Sequence, residues 1–198
     1  MSDRNPWLSS STEERAVLGV PTTPGPSLPR PTGPTAPQAG VTAPDLVDQL
    51  PMREHPSSAH LWVVGVHGGA GAATLAGLIP GGRPGAHAWP RPPARPVPTR
   101  VLLVTRSNAA GLEAGRKAVT HWASGALGDI ALVGLVIVAD APGRLPKPLR
   151  QLADLVAGAP PRTWRMPWVQ AWRLGEDVDL DTSPREVQRI VTEISSLL

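Results

Sequence analysis

The chain has 198 residues, 41% of them hydrophobic, which is enough apolar material for one domain with a core. It contains no cysteine, which excludes a disulfide framework and a cysteine-held zinc, and no run approaches the ~18 continuous apolar residues of a membrane span. The formal net charge is only +3; the isoelectric point near 10.5 follows from having no Cys or Tyr and only Lys117 and Lys147 as lysines, so it reads as that of a mildly basic soluble protein, with a nucleic-acid surface as the alternative.

Residues 1–58 carry eleven of the 25 prolines. Proline neither continues a helix nor donates to a sheet ladder, so a disordered arm is predicted here. The first residues, MSDRNPWLSSS, have no apolar stretch of the secretory kind, which points to a cytoplasmic bacterial protein. Two islands interrupt the arm. One is a helical turn capped by Ser11 with Glu14 completing a capping box; the other starts at Asp45. Trp7 in such a tail reads either as a docking motif for a protein partner or as a residue that folds back on the domain.

From residue 60 strands and helices alternate. HLWVVGV (60–66) is a short Val-rich apolar run, predicted as a buried strand, and AGAATLAGLI (70–79) as a helix. The segment 80–98 has seven prolines and no periodicity, so it is expected to be a long surface loop. TRVLLVT (99–105) is the second strand. A helix follows over 109–125, with Leu112, Val119 and Trp122 on one face and Gly125 at its end. IALVGLVIVAD (130–140) is the third strand, 146–158 the third helix, and RTWRMPWV (162–169) a fourth strand broken at Pro167. The last helix spans 183–198, with Ser183 as N-cap, Pro184 at N1 and Glu186 at N3. Strands apolar on both faces, alternating with helices, predict an α/β domain over 59–198: a mostly parallel sheet of about four to five strands with helices on both faces.

Ligands of open α/β sheets bind at the carboxyl ends of the strands. The turn after the first strand, GVHGGAGAAT, lies there. Gly68, Gly69 and Gly71 permit tight backbone and close approach of a ligand, and free N–H groups at the helix start suit a phosphate. The full pattern G-x-x-x-x-G-K-[ST] needs a lysine for the phosphates and a Ser/Thr for magnesium. Ala72 and Ala73 follow Gly71 instead.

HGGAGAAT resembles the deviant phosphate loop of the ParA/MinD ATPases, K-G-G-x-G-K-[ST]-T. The resemblance puts His67 at the signature lysine and Thr74 at the trailing threonine, with Gly68, Gly69 and Gly71 matching. Ala72 stands for the catalytic lysine and Ala73 for the magnesium ligand. Residues 101–119 are similar to that family's late strand and helix, 132–146 to the strand leading to its base-binding loop, and 164–176 to the segment before its last helix. The family's switch segments and Walker B strand have no counterpart; the Pro-rich 80–98 stands in their place. Asp140 of VIVADAP could serve as a Walker B acid, but its place fits the base-binding strand better. The blocks GVHGGAG, VADAPGRLP and PWVQAWRLG are also similar to a group of short proteins of high-GC Gram-positive bacteria linked to integrative or conjugative elements.

The resemblance thus implies a P-loop NTPase-like fold whose cofactor would be ATP or another nucleotide. Losing lysine, magnesium hydroxyl and Walker B acid together removes several kcal/mol of transition-state stabilisation, so weak or no hydrolysis is expected. Nucleotide binding without hydrolysis and a purely structural loop both stay open. Arg106, after the second strand, and Arg144 are candidates to replace the lost charge, and His67 would touch a phosphate if protonated.

The five histidines show no metal spacing, and GEDVDLDTS (175–183) fails the calcium-loop pattern. Trp164, Trp168 and Trp172 recur every four residues. They read as core and edge packing or, with Arg162, Arg165 and Arg173, as a surface for a protein or single-stranded nucleic-acid partner. The expected function is that of a non-catalytic accessory protein of a conjugation or partition apparatus. The alternatives are a nucleotide-binding switch and a DNA-binding accessory.

Overall fold

The computed structural model describes residues 30–93 and 97–198. In chain order the elements are a 3-10 turn at Leu46–Asp48, β1 (Met52–Glu54), β2 (Leu61–Gly65), α1 (Ala72–Leu78), β3 (Gly82–Pro84), β4 (Trp89–Arg91) and β5 (Thr99–Arg106). They continue with α2 (Ala109–Ala123), β6 (Ile130–Val138), α3 (Lys147–Ala157), β7 (Thr163–Met166), α4 (Gln170–Arg173) and α5 (Arg185–Ser195). Five strands form one parallel sheet in the order β3-β2-β5-β6-β7, and β1 and β4 pair in a separate parallel ribbon. The predicted α/β class with a parallel sheet of four to five strands is what the chain adopts.

The sheet is apolar on both faces because each is covered. Trp62 and Val64 of β2 with Val101 and Leu103 of β5 pack under Leu112, Val119 and Trp122 of α2 and under Ala153 and Val156 of α3. The alternate residues Leu61, Val63, Leu102 and Val104 pack under Leu75 of α1 and Val187, Ile190 and Ile194 of α5. The period-2 alternation of the strands therefore feeds two cores rather than one core and solvent. Gly125, at φ 77°, ends α2 in the left-handed conformation predicted for it.

Three expectations are corrected. Residues 30–58 are not a free arm. Thr32 and Gly33 donate to Pro161 O, Gln38 N–H donates to Ala123 O, Lys117 pairs with Asp48 at 2.7 Å, and Leu50 is buried. Proline blocks regular ladders but not packing by single hydrogen bonds and apolar contacts, so the Pro count misled. The turn predicted at Asp45 is present; Ser11, Glu14 and Trp7 lie outside the described residues. The segment 80–98 is not a plain loop either: β3 is an edge strand of the main sheet, and β4 carries Trp89, fully buried at 0% exposure. Lastly, Ser183 does not cap α5. Pro184 holds the N-cap position, and the buried Ser183 hydroxyl instead donates to Asp179 O.

His121 of α2 is buried, its ring edge-on to Trp89. Burial holds its pKa below the ordinary value, and His55 is shifted the same way by burial, then by Arg53 and Arg83. The unfolded chain takes up these protons near pH 6.5, the folded chain only at lower pH. Stability should be full above about pH 6.5 and fall below it, by at most about 1.4 kcal/mol per pH unit for each proton taken up. Melting temperatures from pH 8 to 5 check this: H121Q should flatten the acid limb, and an unchanged limb would refute the role of His121.

Candidate functional site

The first crossover of the sheet sets the place of the site. From β2 the chain passes through α1 to β3 on one side, then crosses to β5 on the other. The connections reverse between β2 and β5, and ligands of open α/β sheets bind in the crevice beyond such a reversal. The glycine turn follows β2 and Arg106 ends β5, so both lie at this point.

Gly69 and Gly71 have φ of 71° and 97°, a conformation that costs other L-residues about 1–2 kcal/mol each. They turn the chain from β2 into α1, whose first N–H bonded from within the helix, that of Leu75, reaches Gly71 O at 3.0 Å. Arg106 lies across this turn. Its Nε donates to Gly69 O at 3.2 Å, and its Nη1 donates to Ala139 O, just beyond β6, at 3.1 Å. A Cβ on Gly71 would lie 3.9 Å from Arg106 Nη2. One guanidinium thus ties the glycine turn to the end of β6. Burial pulls the Arg106 pKa below its ordinary value, Arg173 pushes it the same way, and Asp140 opposes.

His67 is used inside the turn. Its Nδ1 faces Gly68 O at 2.8 Å, and its Nε2 accepts from Arg106 N–H at 3.1 Å. Both ring nitrogens thus face backbone groups, and in this conformation His67 braces the turn against the end of β5. Asp140 is separated from the glycine turn's strand by β5, and its N–H donates to Ser107 Oγ at 3.0 Å.

Gly71, Thr74 and Arg106 meet Trp168, Trp172 and Arg173 in one cleft of about 140 Å³. The Arg173 guanidinium stacks on Trp168, 4.8 Å from the ring centre. Two candidate groups far apart in sequence are thereby joined. His67, Gly68 and Gly69 do not line the cleft. Trp164 is largely buried, its Nε1 donating to Glu193 at 3.0 Å, and the exposed Arg165 pairs with Asp154; with Arg162 they line a separate cavity of about 520 Å³. Asp140 and Arg144 line a second cavity of about 360 Å³ over Ile137 and Leu149. The two cavities share Ala139 and Met166 as a common wall.

Sequence reasoning did not single out Ser107 as a clasp between β5 and β6, nor Leu75, Met166 and Val169 as the cleft's apolar wall. The signal for Ser107 was its place one residue past a strand end. The loop after β3 has no acid: residues 80–98 contain neither Asp nor Glu, and His87 Nδ1 lies against Gly65 O at 2.9 Å there. Among the described residues, no group of three or more His, Asp or Glu is placed to hold a metal ion, and no helix is long and apolar enough to cross a membrane.

Residues 59–192 match a protein family described as a family of unknown function, DUF6668. No curated protein and no solved structure matches the chain.

Proposed function

The chain belongs to the DUF6668 family, whose description assigns no activity, and from the site itself we propose that it is a non-catalytic accessory or interaction protein built on a nucleotide-binding type of fold. Arg106 carries this reading. Its side chain straps the glycine turn to β6 and faces a cleft of about 140 Å³, whereas sites for whole small-molecule ligands usually offer about 300–1,000 Å³. With Ala72 and Ala73 in place of lysine and hydroxyl, and no acid after β3, the groups that would stabilise a transferring phosphoryl are missing. The partner is read as a protein, in keeping with the resemblance to partition ATPases and to proteins of conjugative elements.

Phosphate release from Mg-ATP and Mg-GTP tests it. Neither the wild type nor Arg106→Ala should exceed the protein-free blank, because opening the strap restores none of the missing groups. Release by the wild type that Gly71→Trp abolishes would overturn the reading.

A second reading, a nucleotide-binding switch without hydrolysis, has one observation in its favour. The cleft and the 360 Å³ cavity share a wall, and together they reach the volume a nucleotide needs. It requires a thermal shift with Mg-ATP, Mg-ADP or Mg-GTP that both Gly71→Trp and Asp140→Asn remove. DNA retention that weakens steeply with salt would instead favour a DNA-binding accessory.

A further inference from the structure

The cleft holds two cations and no anion. Arg106 enters from the end of β5 and Arg173 from the end of α4, and no Asp or Glu lines the cavity. Among the described residues neither arginine forms a salt bridge. Arg106 is held by carbonyls and Arg173 by the Trp168 ring. Burial lowers the Arg106 pKa first and the like charge of Arg173 second, while Asp140 opposes them. Leu75, Met166 and Trp172 wall the space with apolar surface, which lowers the local dielectric and raises the cost of leaving the charges uncompensated. A volume of about 140 Å³ is the liquid share of roughly four or five waters, room for a group of a few heavy atoms.

We propose that this cleft binds a phosphate monoester, its oxyanion bridging the Arg106 and Arg173 guanidiniums and its organic group resting on Trp168 and Trp172. Guanidinium forks match phosphate oxygens in pairs. A phosphate presents three terminal oxygens in a tetrahedral array and so can engage two forks from two directions, whereas a carboxylate presents two oxygens in one plane. The Thr74 hydroxyl, also lining the cleft, is a further donor. The tryptophan wall makes the ester a better ligand than the bare ion. The site is built from side chains of α1, β5, α4 and the segment between β7 and α4.

The test is calorimetric titration and thermal unfolding of the full chain with phenyl phosphate, inorganic phosphate, benzoate and a phosphoserine peptide, against NaCl of matched ionic strength. Phenyl phosphate at a hundred times its dissociation constant should raise Tm by roughly 5–10 °C. Inorganic phosphate should bind more weakly, and benzoate should give no shift beyond the NaCl control. Arg173→Gln should weaken binding tenfold or more while leaving the unliganded Tm within about 2 °C, because Arg173 is exposed; Arg106→Gln should abolish binding. A phosphoserine peptide that binds more tightly than phenyl phosphate supports the proposal and assigns the phosphate to a modified protein; the reverse order supports it and assigns a small ester. No shift beyond NaCl, or equal binding by Arg173→Gln, overturns the site. Equal binding of inorganic phosphate and phenyl phosphate overturns the role of the tryptophans. Phosphate release from Mg-ATP, measured separately, reports on the proposed function, since the site can fail while the protein remains non-catalytic.

Discussion

Replacing Gly134 by alanine is expected to destabilise the domain by about 3 kcal/mol or more, the upper range for forcing atoms into a packed core. Gly134 lies in the middle of β6. The pairing steps from Val101–Leu132 to Leu102–Gly134, so Val133 is bulged out. The bulge brings β7 close: a Cβ at Gly134 would lie 2.5 Å from Arg162 O and 2.6 Å from Trp164 Cζ3. The same carbonyl accepts from Leu135 N–H at 2.9 Å, so it cannot retreat without losing a ladder bond. Glycine in a strand interior marks such close approaches. The loss corresponds to a fall in Tm of roughly 6–12 °C for a domain of this size. Gly77→Ala is the control: nothing lies within 4 Å of its added Cβ, and alanine is the better helix former, so α1 should gain up to about 1 kcal/mol. Equal melting temperatures for the two variants would refute the close packing of β6 on β7.

Trp89→Ala is expected to cost about 3–5 kcal/mol, the range for deleting a buried large aromatic side chain. This residue decides whether 80–98 is loop or core. Trp89 is fully buried among Leu50, Trp62 and Trp122, and its N–H donates to Pro51 O at 2.8 Å. Its neighbour Arg91 is exposed, so Arg91→Ala should stay within about 0.5 kcal/mol. Urea unfolding measures both. A Trp89→Ala cost as small as that of Arg91→Ala would mean that the segment is a surface loop after all.

Both residues illustrate what could be read from the chain. The four strand–helix units from 60 onward were legible because each strand is a short apolar run and each helix has an apolar stripe of its own period. Local patterns of that kind arise from burial on a known face, so they survive in one dimension. The glycine turn was legible for the same reason: its φ values demand glycine whatever surrounds it. Gly134 carried no such mark, because its need for a missing Cβ comes from Arg162, 28 positions along the chain. Trp89 was hidden among prolines, where a three-residue strand is too short to show a period. The ribbon of β1 and β4 pairs residues 37 positions apart, which no window covers.

The sequence alone determined the layered class, the chain order of the four main strands and four main helices, the position of the glycine turn, and the absence of the lysine and hydroxyl that the phosphate-loop pattern places after the last glycine. These are consequences of residue identity and short-range periodicity. Only the tertiary structure decided that Arg106 straps the turn, that His67 braces it, and that Trp168, Trp172 and Arg173 face Gly71 and Thr74 while Trp164 does not. Side chains nearly a hundred positions apart meet because parallel strands deliver their carboxyl ends to one edge of the sheet. Which of them arrive together depends on strand order, and strand order is set by packing between elements rather than by the pattern within any one of them.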